Sequence, residues 1–155
     1  MKVRKYENKD HQAALEYILP PEQAIFTSIP AEVLATFRND IFNQPFVIYS
    51  NQQLVGWFAL YTEGSGNIYT NNKQAILLKS FSIDVRFQKR GFGLDSLKLL
   101  PNIVKQQYKD KNEIILTVHE TNDAAISLYR KAGFIHKGEN YNGEYGIEMI
   151  FRMSL

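Results

Sequence analysis

The chain has 155 residues, 45% of them hydrophobic, 22% charged and 13% aromatic, fractions that exclude collagen, coiled coil and a disordered tail. A formal net charge of +2 argues against a basic nucleic-acid binder, and the lack of cysteine excludes disulfides, thiolate metal sites and a cysteine nucleophile. No apolar run reaches the roughly 18–20 residues of a membrane span and no signal-like core opens the chain, so the expectation is one cytoplasmic domain over residues 1–155, with no membrane, nucleic-acid or metal partner.

Lys2–Tyr6 alternates as a short strand does. Ala14, Tyr17 and Ile18 share one face of a first helix, which Pro20-Pro21 stops because proline has no N–H to donate and restrains the residue before it. Pro30 suits the first turn of a second helix, with Val33, Leu34, Phe37 and Ile41 as its apolar stripe. Strand-like runs Pro45–Tyr49 and Leu54–Tyr61 flank the polar Ser50–Gln53 as in a hairpin. A polar loop, Glu63–Asn72, leads to a fourth strand, Ile76–Val85. The helix Gly91–Tyr108 follows, with Leu94, Leu97, Leu100, Val104 and Tyr108 inward and a kink expected near Leu97 from Pro101. Glu113–His119 reads as a fifth strand and Asn122–Ala132 as a helix with Asn122 at its N-cap. Strands Phe134–Tyr141 and Tyr145–Met153 then turn about Asn142-Gly143, a favoured hairpin dipeptide. The order β-α-α-β-β-β-α-β-α-β-β is mixed α/β, with a partly antiparallel sheet and parallel crossovers after the fourth and fifth strands.

The segment Gln88-Lys89-Arg90-Gly91-Phe92-Gly93 lies between a strand and a helix. Glycine lets a backbone approach a ligand closely, and a helix start offers unpaired N–H groups and partial positive charge, a combination that binds phosphate. The charge distribution agrees: Lys79–Lys98 holds five basic and two acidic residues, so it carries +3 and the remainder −1. A tight strand-to-helix turn would use the same glycines. Neither a P-loop nor a full dinucleotide-binding fingerprint is present.

Asn122-Asp123-Ala124-Ala125-Ile126-Ser127-Leu128-Tyr129-Arg130-Lys131-Ala132-Gly133-Phe134 is, by itself, a capped helix closed by Gly133. Within it Tyr129 reads as a core aromatic as readily as a functional one. Together, Q-x-x-G-x-G and the downstream N-x-x-A-x-x-L-Y-x-K-x-G-F resemble the GNAT superfamily of acyl-coenzyme A N-acyltransferases.

The resemblance implies a fold with splayed fourth and fifth strands. It implies an acetyl group moved from acetyl-coenzyme A directly to a primary amine of a small molecule or peptide, by a monomer or homodimer. Gln88, Lys89, Arg90, Gly91, Phe92 and Gly93 would bind the pyrophosphate, and Ile83 and Val85 would pair with the pantetheine arm. Asn122 matches the family's asparagine after the fifth strand, and Tyr129 its tyrosine near the sulfur. Val85 departs from the proline that many members carry. A rival reading is a coenzyme A-binding sensor or regulatory module without catalysis, and a third is a nucleotide-binding domain with a generic phosphate loop.

Tyr129 is the candidate proton donor to the leaving thiolate. A thiol titrates near 8.5 and tyrosine near 10, so full transfer is uphill by roughly 2 kcal/mol and a strong hydrogen bond is the easier route. Glu63, His119, Glu120 and Asp84 are candidates for the base, beside a chain of waters, and each has an ordinary structural use. Members acting on protein N-termini often have a carboxylate on the fifth strand where this chain has Thr117. The acceptor pocket is expected from Glu22 and Phe26, from Tyr61, Glu63 and Tyr69, and from Tyr141, Glu144 and Tyr145 of the last hairpin.

Overall fold

A computed structural model of the chain describes residues 1–155. Its elements are β1 (Lys2–Lys5), α1 (His11–Leu15), α2 (Pro21–Ala24), α3 (Pro30–Phe37), β2 (Asn43–Ser50), β3 (Gln53–Tyr61), β4 (Ala75–Ile83), α4 (Phe92–Gln107), β5 (Glu113–His119), α5 (Asp123–Ala132), β6 (Ile135–Gly143) and β7 (Gly146–Ser154). The strands form one sheet in the order β1-β2-β3-β4-β5-β7-β6, antiparallel except where β4 lies beside β5. No helix is long and apolar enough to cross a membrane.

Strand alternation divides the core between the two faces of the sheet. Phe58 and Leu60 of β3 pack with Leu97, Leu100 and Val104 of α4 and with Ile126 and Tyr129 of α5. Trp57 and Ala59 point the other way, onto Tyr17, Val33 and Phe37 of the N-terminal segment. Phe46, Phe58 and Phe151 are essentially inaccessible, and each such burial stabilises by about 1.5–3 kcal/mol. Helix α4 continues through Pro101 to Gln107 with its predicted apolar face inward.

Several local expectations are corrected. A short extra helix, α2, starts at Pro21, where a missing N–H costs nothing. Helix α3 ends at Phe37, leaving Ile41 75% exposed, because the Asp40 carboxylate accepts the Phe42 N–H and the Asn43 amide and turns the chain. Strand β4 ends at Ile83, not Val85: the fully buried Asp84 caps a turn of 3-10 helix by accepting the Arg86 N–H.

The last hairpin turns at Glu144-Tyr145 rather than Asn142-Gly143, since Gly143 pairs with Gly146 and Asn142 with Ile147. The α5 crossover brings β6 parallel to β5 only at one remove, because β7 lies between them, antiparallel to both.

Candidate active site

Strands β4 and β5 pair only at Ala75–Glu113, Ile76–Ile114 and Leu77–Ile115. Beyond Leu77, β4 stays with β3 while β5 stays with β7, so the sheet forks. A bulge lies just past the fork: Phe58 of β3 faces both Ser80 and Phe81 of β4, and Ser80 takes φ +55°. A bulge bends its strand and re-aims backbone groups, here on the strand that borders the gap.

Helix α4 begins at the mouth of the fork. Gly91 holds its N-cap position at φ +88°, where glycine is the least strained residue, and no side chain caps the helix. The N–H groups of Phe92, Gly93 and Leu94 therefore lack intrahelical partners, and the helix dipole adds positive potential there. Lys89 and Arg90 are exposed beside this turn, and neither is within ion-pair distance of a carboxylate.

The two glycines have different local reasons. A Cβ at Gly91 would meet only the Asp95 carboxylate at 3.7 Å, whereas one at Gly93 would lie 3.3 Å from Leu128 of α5. Gly93 thus serves the packing of α4 on α5. Gln88 acts as a strut: its side-chain nitrogen donates to the Ile83 carbonyl at 2.8 Å and to Gln23 of α2 at 2.6 Å. The Val85 N–H donates to the Ile18 carbonyl at 2.9 Å.

Asn122 caps α5 by accepting the Ala125 N–H at 3.3 Å. Tyr129 projects from α5 between Phe81 and Phe134, with ring centroids 6.2 and 5.9 Å away. It is 8% exposed, and burial pushes its hydroxyl above the usual tyrosine range, with no partner to offset it. Tyr129 and the glycine turn stand on the α4–α5 face of the fork.

The opposite face carries the remaining candidates, and the structure separates them. Glu63 lies past the closed end of the fork, since β3 finishes with Tyr61 opposite Leu77. Its carboxylate accepts the Ser65 N–H and hydroxyl, which hold it below the usual range. Asp84 is committed to Arg86 and to the Ile18 N–H. His119 is satisfied at both nitrogens: Nε2–H donates to the Tyr145 carbonyl at 2.9 Å, and Nδ1 accepts the Thr121 N–H and hydroxyl. Glu120 is exposed at the rim of the open end.

Of the expected acceptor residues, Tyr69 and Tyr141 pack edge to face at 5.0 Å, and Phe26 lies on His119 at 5.8 Å. Tyr61 instead covers Lys79, and Glu22, Glu144 and Tyr145 are exposed.

Glu148 is not among the residues expected from the sequence. Register places it between His119 of β5 and Tyr141 of β6, in a row across three strands, and its Oε1 accepts the Thr117 hydroxyl at 3.2 Å. Its sequence signal was a carboxylate two residues before the buried Ile150, on the strand face that also carries Arg152.

Comparison with known proteins agrees with this fold. The profile of the acetyltransferase (GNAT) family matches residues 11–134. An uncharacterized N-acetyltransferase of Bacillus subtilis, YbbJ, is 33% identical over 135 residues, covering 86% of this chain and 84% of the relative. The spermine/spermidine N(1)-acetyltransferase of the same organism is 37% identical over 102 residues, 65% of this chain and 66% of that protein.

Among solved structures, aminoglycoside acetyltransferase AAC(6')-Ib in complex with coenzyme A and kanamycin superposes with a TM-score of 0.81 at 15% identity, covering 98% and 93% of the two chains. Spermidine N-acetyltransferase from Vibrio cholerae, in complex with coenzyme A and spermine, gives 0.73 at 17% identity, covering 99% and 94%. The chain belongs to the acetyltransferase (GNAT) family. It is an enzyme that transfers an acetyl group to an amine.

Proposed function

We propose that this chain binds acetyl-coenzyme A in the β4–β5 fork and passes its acetyl group directly to a primary amine of a small molecule. The observation that carries the reading is the fork itself, with the uncapped start of α4 at its mouth. The residues present fit the donor. Unpaired N–H groups of Phe92, Gly93 and Leu94, with Lys89 and Arg90 beside them, suit a pyrophosphate. The edge of β4 from Leu78 to Ile83, released from β5, offers backbone groups to an extended amide-bearing arm.

The bound thioester supplies an activated acetyl group and a thiolate leaving group. Backbone donors of the bulged β4 suit the developing oxyanion. Tyr129, on the helix-covered face, is the side chain aimed at the leaving sulfur. Its raised pKa favours the hydroxyl over the phenolate, so it serves as a hydrogen-bond donor. The amine enters from the opposite face, between Phe26 and the Tyr69–Tyr141 pair. The polycationic compounds named with the relatives support a small acceptor over a protein N-terminus.

Calorimetry with acetyl-coenzyme A, followed by a thiol-release screen over an amine panel, tests the reading. Micromolar binding with turnover of at least one amine is expected; no binding at millimolar donor sinks it.

A further inference from the structure

The half-buried and buried carboxylates of this chain nearly all have fixed partners. Asp10, Asp84 and Glu113 each hold an arginine, at 2.7, 2.7 and 2.8 Å. Asp40 accepts the Phe42 N–H and the Asn43 amide on its two oxygens, and Glu63 accepts both the N–H and the hydroxyl of Ser65 on one. Glu148 differs. It has no cationic partner, and its single hydrogen bond is the Thr117 hydroxyl on one oxygen. An ionised carboxylate accepts at both oxygens and at roughly four positions, and half-burial without a counter-charge is costly.

The backbone also makes room for this group. A Cβ built on Gly143 would lie 2.7 Å from the Glu148 Oε2 and 3.3 Å from its Cδ, so any side chain at 143 would displace the carboxylate. Aromatic faces stand around it: Tyr141 is its cross-strand neighbour, and Tyr69 packs on Tyr141. Burial and then the Glu148 charge raise the Tyr69 hydroxyl, which places that ring within the field of the carboxylate. A carboxylate beside tyrosine rings suits an alkylammonium ion.

Position indicates which nitrogen it holds. The acetyl group is expected on the open side of β5, in the fork, whereas β7 lies on the other side of that strand. Glu148 therefore stands about one strand spacing, roughly 5 Å, from the open edge of β5. That separation matches a short alkyl spacer between two amines.

We propose that Glu148, steadied by Thr117 and flanked by Tyr141 and Tyr69, binds the second, non-reacting ammonium of the acceptor, which makes the substrate class a short-chain diamine or polyamine. This assignment rests on the acetyl-transfer reading above.

The test compares diaminobutane with n-butylamine, which lacks the second nitrogen, in steady-state kinetics on wild type and E148Q. Loss of one charge-assisted contact predicts a rise in KM for the diamine of about 10–100-fold. The kcat for the diamine and both constants for n-butylamine should change less than about threefold, and acetyl-coenzyme A affinity should be unchanged by calorimetry. G143A, which keeps the charge but displaces it, should raise the same KM.

Equal loss with both amines, or a fall confined to kcat, overturns the assignment, as does an unchanged diamine KM. If wild type binds the donor yet acetylates no amine, the transferase reading fails instead. The Glu148 site is then judged by calorimetric binding of diaminobutane, which E148Q should abolish; equal binding by wild type and E148Q overturns it.

Discussion

His119 and Gly146 fit against each other so closely that a Cβ at position 146 would lie 2.7 Å from the His119 Nε2. Gly146 also has φ +124°, a region that side chains avoid. Through the Nε2–H bond to Tyr145, this contact fixes the tip of the β6–β7 hairpin over the open end of β5. Gly146→Ala should lower stability by about 1–3 kcal/mol, read from urea midpoints. His119→Ala in the same chain should recover part of that loss, because neighbouring changes are not additive. An unchanged midpoint for Gly146→Ala would show that the hairpin tip is free to move.

The two glycines of the α4 turn should separate experimentally. A Cβ at Gly91 would have room, but its φ of +88° makes any side chain there strained, so Gly91→Glu should cost some stability as well as put bulk and negative charge at the helix start. Acetyl-coenzyme A binding should vanish in calorimetry, whereas Gly91→Ala, with the same strain and no charge, should keep it. Gly93→Val, pressed on Leu128, should instead lower the unfolding midpoint, by about 1–3 kcal/mol for overpacking. If Gly91→Glu binds the donor normally, the pyrophosphate lies elsewhere.

Tyr129→Phe distinguishes catalysis from mere binding. The ring and its packing on Phe81 and Phe134 are retained, so donor affinity and stability should be nearly unchanged. Loss of the hydroxyl should reduce kcat by about 100-fold or more. Retention of full activity would leave Tyr129 as a core aromatic.

Acid stability follows from two buried aspartates. Burial raises the pKa of Asp10 and of Asp84, but hydrogen bonds outweigh it: Arg4, the Glu7 N–H and Tyr49 for Asp10, and Arg86 with the Ile18 N–H for Asp84. Both therefore titrate below the ordinary value. Folded-state pKa values lower than the unfolded value near 3.9 mean that the stabilisation is fully present above about pH 4 and is lost as pH falls through the folded values. Urea midpoints should drop steeply below about pH 4. Asp84→Asn should cost about 1–3 kcal/mol at neutral pH and flatten that acid limb; an unchanged limb would place the titration elsewhere.

Periodic segments were legible in the sequence because each obeys a local rule. The inward face of α4 through Leu97, Leu100 and Val104 and the whole of β5 stand where alternation and helical spacing put them. Errors arose where a side chain overrode the pattern. Asp84 ended β4 early by capping a turn, and Asp40 released Ile41 to solvent. Asn142-Gly143 was a good turn dipeptide, but Gly143 is needed in the strand, where Glu148 passes over it. The proposed donor side was readable because the glycine turn and the Tyr129 helix are each contiguous. On the opposite side Tyr69 and Tyr141 were expected, but Glu148 was not, since it meets Thr117 and Tyr141 only through strand register and meets Tyr69 only through the packing of the β3–β4 loop.

The position of β7 also bears on how the molecule is made. It follows both β5 and β6 in the chain yet must insert between them. On a ribosome, the β4–α4–β5–α5 half can associate first, while β5 and β6 wait with unsatisfied edges. Those two edges pair with nothing native until β7 arrives; β7 meets β6 locally through the tight hairpin, but its pairing with β5 is non-local, of the kind that slows folding. A chain cut short before Gly146 would carry two exposed strand edges, which are templates for aggregation. The final insertion completes the sheet and at the same moment delivers Glu148, so the proposed donor pocket can form before the proposed amine side does.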